Sequence, residues 1–143
     1  MIIEQIKEIK SPAFIIFDDM LNSSNLKAVA QIFTVHGRHL NLSLAFLTQR
    51  LFHNNEYFRQ ISQNCDYMCC FKNPRNSMEI RNLAMQITPN SLELLDIFKK
   101  ATQNPFSYLI INLTQECIPQ LKYLNDIFEE NGVIKVYVLT DCK

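Results

Sequence analysis

Phe14-Ile15-Ile16-Phe17-Asp18-Asp19 decides how this chain is read. Four apolar residues in a row, preceded by Pro12 and Ala13, have the pattern of a short strand buried on both faces of a parallel sheet. The run ends in two carboxylates. A buried strand holds its last side chain rigidly at the carboxyl edge of the sheet, where open α/β folds bind ligands. One carboxylate there can hold Mg2+ through water, and a second can polarise an attacking water. Asp18 suits the first role and Asp19 the second. Paired acids after a strand also start turns and cap helices, so the motif alone leaves both readings open.

A second apolar run, Leu42 to Leu47, ends in Thr48-Gln49. A neutral amide at the end of the neighbouring strand can donate to a γ-phosphate or orient water, as glutamine does in other nucleotide hydrolases. It can equally be a polar strand terminator. Between the two runs, Leu26, Val29, Ala30 and Phe33 fall at helical spacing, and Gly37 suits a helix stop. Asn22-Ser23-Ser24 supplies capping side chains ahead of that helix. Strand, helix and strand then bring both polar ends to one edge, like two walls of a nucleotide site. Arg38, just before the second strand, is placed to reach a neighbouring subunit's nucleotide as an arginine finger; the alternative is a solvated side chain beside a terminating glycine. The third wall is missing. The chain has two glycines, Gly37 and Gly132, and no Gly-Lys-Ser/Thr phosphate loop.

Further along, Glu56 to Gln63 reads as a short helix with Phe58 and Ile61 inward, and Tyr67 to Phe71 as a third strand. Asn76 and Glu79 have capping-box spacing, with Met78, Leu83, Ala84 and Ile87 as the apolar side of the following helix. Thr88-Pro89 opens a helix over Ser91 to Ala101, which Asn104-Pro105 closes. Ser107 to Leu113 is a fourth strand and Val133 to Leu139 a last one. Residues 114–132 carry conflicting signals: Leu121, Leu124 and Phe128 suit a helix, while Pro119 and Asn131-Gly132 suit loops. The alternation predicts an α/β sheet, mostly parallel, with helices on its faces.

At 143 residues the chain suits one domain, and 48% hydrophobic content suffices for a core. Its formal net charge of zero gives no sign of a strongly nucleic-acid-binding domain. No apolar stretch is long enough to span a membrane, and the first residues lack the features of a signal peptide. Cys65, Cys69, Cys70, Cys117 and Cys142 are odd in number and form no C-x-x-C, which suits reduced, buried thiols in an intracellular protein. His36 and His39 lack further ligands at zinc spacing.

Phe14 to Met20, Gly37-Arg-His-Leu-Asn-Leu-Ser43 and Leu47-Thr-Gln-Arg-Leu-Phe52, in that order, resemble the viral DNA-packaging ATPases of the FtsK–HerA superfamily of P-loop NTPases, above all the poxvirus-type enzymes of large DNA viruses and Polinton (Maverick) elements. Ile61 to Tyr67, Lys72-Asn-Pro-Arg75 and Pro105 to Asn112 support the likeness, which covers roughly residues 12–115. Residues 1–11 are then a leader, and 116–143 a C-terminal extension without assignment. The resemblance implies that Asp18 and Asp19 match the Walker B acids, Gln49 the sensor, and Arg38 a trans-acting finger. It implies ATP and Mg2+ as cofactors, with Asp18 the metal residue through water and Gln49 at the γ-phosphate. It also implies a homo-oligomeric ring acting on double-stranded DNA inside an infected or host cell.

The family carries its phosphate loop upstream of the Asp-Asp strand. The loop's strand lies between the strands that here are Leu42–Leu47 and Tyr67–Phe71. This sequence therefore reads as an incomplete core, a C-terminal fragment inactive alone, poorly stable and prone to aggregate, with a gap closed by direct pairing, filled by the leader or a partner chain, or left disordered. Two alternatives stay open: an ATPase subunit completed by a separate chain carrying the phosphate loop, and a non-enzymatic module that binds a partner through its sheet edges. A phospho-receiver domain also places two acids after a first strand, but it needs an Asp where Thr48-Gln49 stands.

Overall fold

A computed structural model of the protein describes residues 4, 6, 8, 9, 12–21, 23–75, 77–128 and 132–140. The chain gathers into two compact units, Met1–Asn64 and Cys65–Lys143.

In the first unit, β1 (Ala13–Asp18) and β2 (Leu42–Leu47) pair in parallel, with Ala13 opposite Leu42 and Asp18 opposite Leu47. They are joined by α1 (Ser23–Gln31), which continues as a π-helical turn, Ile32–His36, and a last α turn, Gly37–His39. The Thr34 hydroxyl donates to the Ala30 carbonyl at 2.8 Å, and the Gly37 N–H reaches back to the Ile32 carbonyl. That five-residue reach widens the helix locally, as a single π turn does. Gly37 is thus no helix stop: its φ of −55° is helical. Glycine is needed there for space, because a Cβ would sit 2.9 Å from Leu44 Cδ1 and 3.2 Å from the Ile32 carbonyl oxygen. The helix packs that closely on β2.

Leu26, Val29, Ala30 and Ile32 are buried, as are Phe58 and Ile61 of α2 (Glu56–Gln63). Their strand partners are the residues of one face: Phe17 meets Phe33 at 6.2 Å between ring centroids, and Phe46 meets Phe58 edge-on at 6.0 Å. Each fully buried aliphatic side chain of this kind contributes about 1.5–3 kcal/mol. Asn55 starts α2 by accepting from the Tyr57 and Phe58 N–H groups. The other face is bare. Phe14 is 65% and Ile16 55% exposed, so the apolar run is buried on one side rather than both.

In the second unit, β3 (Tyr67–Phe71), β4 (Tyr108–Asn112), β5 (Tyr123–Asn125) and β6 (Lys135–Tyr137) form an antiparallel sheet in that order. The mostly parallel sheet expected from strand–helix alternation is therefore not found. Two helices, α3 (Ser77–Ile87) and α4 (Ser91–Ala101), lie between β3 and β4, and a helical hairpin returns the chain to the starting end, which permits antiparallel pairing. Leu83, Ala84, Leu94 and Phe98 close over Cys70, Leu109 and Ile111. The buried Asn125 amide donates to the Ala101 carbonyl at 3.0 Å, satisfying the end of α4. Tyr123 is fully buried, and burial pushes its hydroxyl up to about 12. Residues 114–128 form no α-helix; Pro119–Leu121 is a 3-10 turn leading into β5. Asn22, Asn76, Asn131 and Cys142 lie outside the described residues.

The leader is not extended where it is described: Glu4 and Ile6 are helical, and Ile6 is buried. Of the described cysteines only Cys70 is buried, Cys65 and Cys117 are half-buried, and Cys69 is exposed. Among the described residues no helix is long and apolar enough to cross a membrane.

Candidate functional site

Asp18 is the last residue of β1 and stands opposite Leu47, the last of β2. Neighbouring strands are about 4.8 Å apart, so Asp18, Asp19, Thr48 and Gln49 share the carboxyl end of the parallel pair. Asp18, Asp19 and Gln49 are all exposed. By strand alternation Asp18 belongs to the same face as Phe14 and Ile16, the bare one. Asp19 has a φ of 50°, a left-handed conformation that Asp tolerates better than most residues. It turns the chain off the strand directly after Asp18. The Thr48 hydroxyl accepts from the Arg50 N–H at 3.2 Å and donates to the Arg50 carbonyl at 3.1 Å, a local turn that fixes the backbone around Gln49.

Arg38 is not part of this group. It lies in the helical turn before β2, at the end of the strand pair away from Asp18 and Gln49. One strand length, about 20 Å, separates those ends. The loop after Gln49 also holds His53. Its Nδ1 is buried without a hydrogen-bond partner, and its ring lies 5.9 Å from that of Phe58. Nothing in the spacing around Leu51-Phe52-His53 signals it. Asn112, at the end of β4, uses its side-chain oxygen to accept from the Thr114 N–H and hydroxyl.

Mg2+ needs only one or two protein carboxylates when waters and phosphate oxygens fill its remaining positions. Among the described residues no three His, Cys, Asp or Glu side chains gather into a closed metal cage. Two exposed carboxylates at a strand end are the donor set of the open kind, so Asp18 and Asp19 fit Mg2+ carried by a nucleotide. The phosphates themselves find no glycine-rich cradle in this sequence.

A helix-backed parallel strand pair in one unit and an antiparallel sheet in the other make this a mixed α/β protein. Within that class the family is defined by sequence: the family model described as poxvirus A32 protein matches residues 2–136, and the chain belongs to that family. The family is associated with ATPases that package viral genomes. No curated protein and no solved structure matches the chain.

Proposed function

We propose that this chain supplies the metal- and water-handling side of a genome-packaging ATPase site of the FtsK–HerA type. Asp18 holds Mg2+ through water. Asp19 accepts a proton from the attacking water, and Gln49 senses the γ-phosphate. Bound Mg2+ would neutralise charge on the transferring phosphoryl group; the chain's own part is to hold two carboxylates and an amide at one sheet edge. The observation that carries this reading is the shared carboxyl end of β1 and β2, in register from Ala13–Leu42 to Asp18–Leu47.

The bare face, and the edge of β2 that pairs with no strand among the described residues, support a further strand–helix unit. Helical crossovers between parallel strands are right-handed in nearly all proteins. A strand at the free edge of β2, followed by a helix and then β1, runs against the β1-to-β2 direction. Its helix therefore covers the face opposite α1, where Phe14 and Ile16 are exposed. Such a unit, from this polypeptide or another, would carry the phosphate loop. In this reading the working assembly is a ring on double-stranded DNA, and Arg38, on the far edge from its own Asp18, serves a neighbouring subunit's nucleotide.

The test is a fusion. A strand, phosphate loop and helix from another member of the family is joined ahead of residue 12, and Mg2+-dependent ATP hydrolysis is measured. Turnover should appear in the fusion, and Asp18→Asn, Asp19→Asn and Gln49→Ala should each abolish it. Arg38→Ala should remove only the part that rises with protein concentration. A folded fusion that binds ATP and turns over equally well as Asp18→Asn would overturn the assignment.

A further inference from the structure

The helices of the second unit cover only one face of its sheet. The opposite face presents Tyr67, 59% exposed, and Phe71, 57% exposed, two positions four residues apart on β3. Their separation along the strand is about 13 Å, enough for each ring to take a different base. Phe71 stands opposite Tyr108 of β4, their ring centroids 5.9 Å apart. Just before Tyr108, the turn Asn104–Ser107 closes with the Ser107 N–H donating to the Asn104 carbonyl. Its third residue, Phe106, has a φ of 64° and is 95% exposed. A bulky residue is rare in that conformation, and strain of this kind marks functional positions more often than chance. The turn carries an exposed ring two residues before Tyr108.

Two cations lie at the same end of the strand. Lys72 and Arg75 follow directly on β3, both exposed. Between Asp66 and Glu79 the charged residues are Lys72 and Arg75, both beyond the Phe71 end of the strand. Exposed aromatic rings on an antiparallel sheet, flanked by cations, are what single-stranded nucleic acid needs: π faces for unstacked bases and positive charge for the backbone. A duplex hides its base faces and gains nothing from the rings.

The geometry points to a single-stranded nucleic-acid platform on this face, with Tyr67, Phe71 and Phe106 stacking bases and Lys72 and Arg75 holding phosphates. It is separate from the β1–β2 edge and does not depend on ATP hydrolysis there. Binding of the full chain to fluorescein-labelled oligothymidylate and oligouridylate about twelve nucleotides long, a length such sheets engage, is followed by anisotropy beside a duplex of equal length. The single strands should bind more tightly than the duplex, and the order between them identifies DNA or RNA as the ligand. Tyr67→Ala and Phe71→Ala should each weaken binding roughly tenfold, while Tyr67→Phe keeps it. Joint Lys72→Gln and Arg75→Gln should lower the salt slope by about 1.4, the loss of two single-strand phosphate contacts. Quenching of intrinsic tyrosine fluorescence by unlabelled oligothymidylate gives the same readout on the unsubstituted protein. Equal or tighter duplex binding, indifference to the alanine variants, or a self-associated protein whose dimer Phe71→Ala dissolves while no strand binds would overturn it.

Discussion

Gly37 and Phe106 are the two residues where backbone and side chain conflict most plainly, and they conflict in opposite senses. At Gly37 the backbone is helical and alanine would gain about 1 kcal/mol of helix propensity. Against that stand the contacts a Cβ would make with Leu44 Cδ1 and the Ile32 carbonyl. Overpacking costs about 1–3 kcal/mol, and one of the two contacts is backbone that cannot swing away. Gly37→Ala should therefore lower stability by about 1 kcal/mol, read from the urea midpoint, and Leu44→Val should recover part of the loss. Phe106 holds a conformation that costs an L-residue about 1–2 kcal/mol. Phe106→Gly relieves this and returns roughly 0.5–1 kcal/mol through a freer unfolded chain. A net gain of about 0.5–1 kcal/mol in the urea midpoint is expected, whatever the substitution does to binding.

Elements were legible in the sequence to the extent that their signals were local. The bounds of α4, Ser91 and Ala101, follow from Pro89 at one end and Asn104-Pro105 at the other, and the inward Phe58 and Ile61 of α2 from helical spacing. The strand Phe14 to Phe17 and its carboxylates were equally plain. What it packs against was not, because a continuous apolar run carries no mark of which side is covered. The direction of β4 was hidden for a related reason: pairing depends on where two intervening helices return the chain. Residues 114–128 gave mixed signals because β5 is three residues long and held by its neighbours, not by a pattern of its own. One tertiary contact invisible in sequence has a pH consequence. Glu93 in the first turn of α4 accepts from the Thr140 N–H at 2.8 Å and from its hydroxyl at 2.7 Å. These bonds, the backbone one first, hold its carboxyl below the ordinary value of 4.5. A lowered folded value contributes fully above the unfolded one and is lost as protons bind. The segment around Thr140 should stay docked from neutral pH down to about 4.5 and detach as pH falls further. Amide exchange at Thr140 should then rise, and in Glu93→Gln it should already be faster at neutral pH. A Thr140 amide equally protected at pH 3 and pH 7 would contradict this.

At the scale of the whole molecule, each unit is two layers, one of helices and one of strands, with the far side of the strands uncovered. Phe14 and Ile16 in one unit and Tyr67 and Phe71 in the other are apolar surface in water. Exposed apolar patches of this kind mark interaction sites or association liabilities. The isolated protein should bind a hydrophobic dye at neutral pH while retaining its near-ultraviolet circular dichroism. It should also sediment faster as its concentration rises; joint Phe14→Ser and Ile16→Thr should reduce both effects. An unsubstituted protein that stays monomeric and dye-free at high concentration would contradict this. Of the candidate site, only the placement of Asp18, Asp19 and Gln49 at one strand end follows from their strand positions, while the burial of His53 has no local signal in the sequence. Cys69 and Cys70 turn this layering into a chemical reporter. They are adjacent in sequence but point to opposite sides of β3, the first exposed and the second buried, with its thiol raised to about 12 by burial. A maleimide footprint on native protein should therefore mark Cys69 and spare Cys70. Any partner that occupies the open side of that strand, from a nucleic-acid strand to another protein, would write its arrival as the disappearance of one alkylated peptide in a mass spectrum.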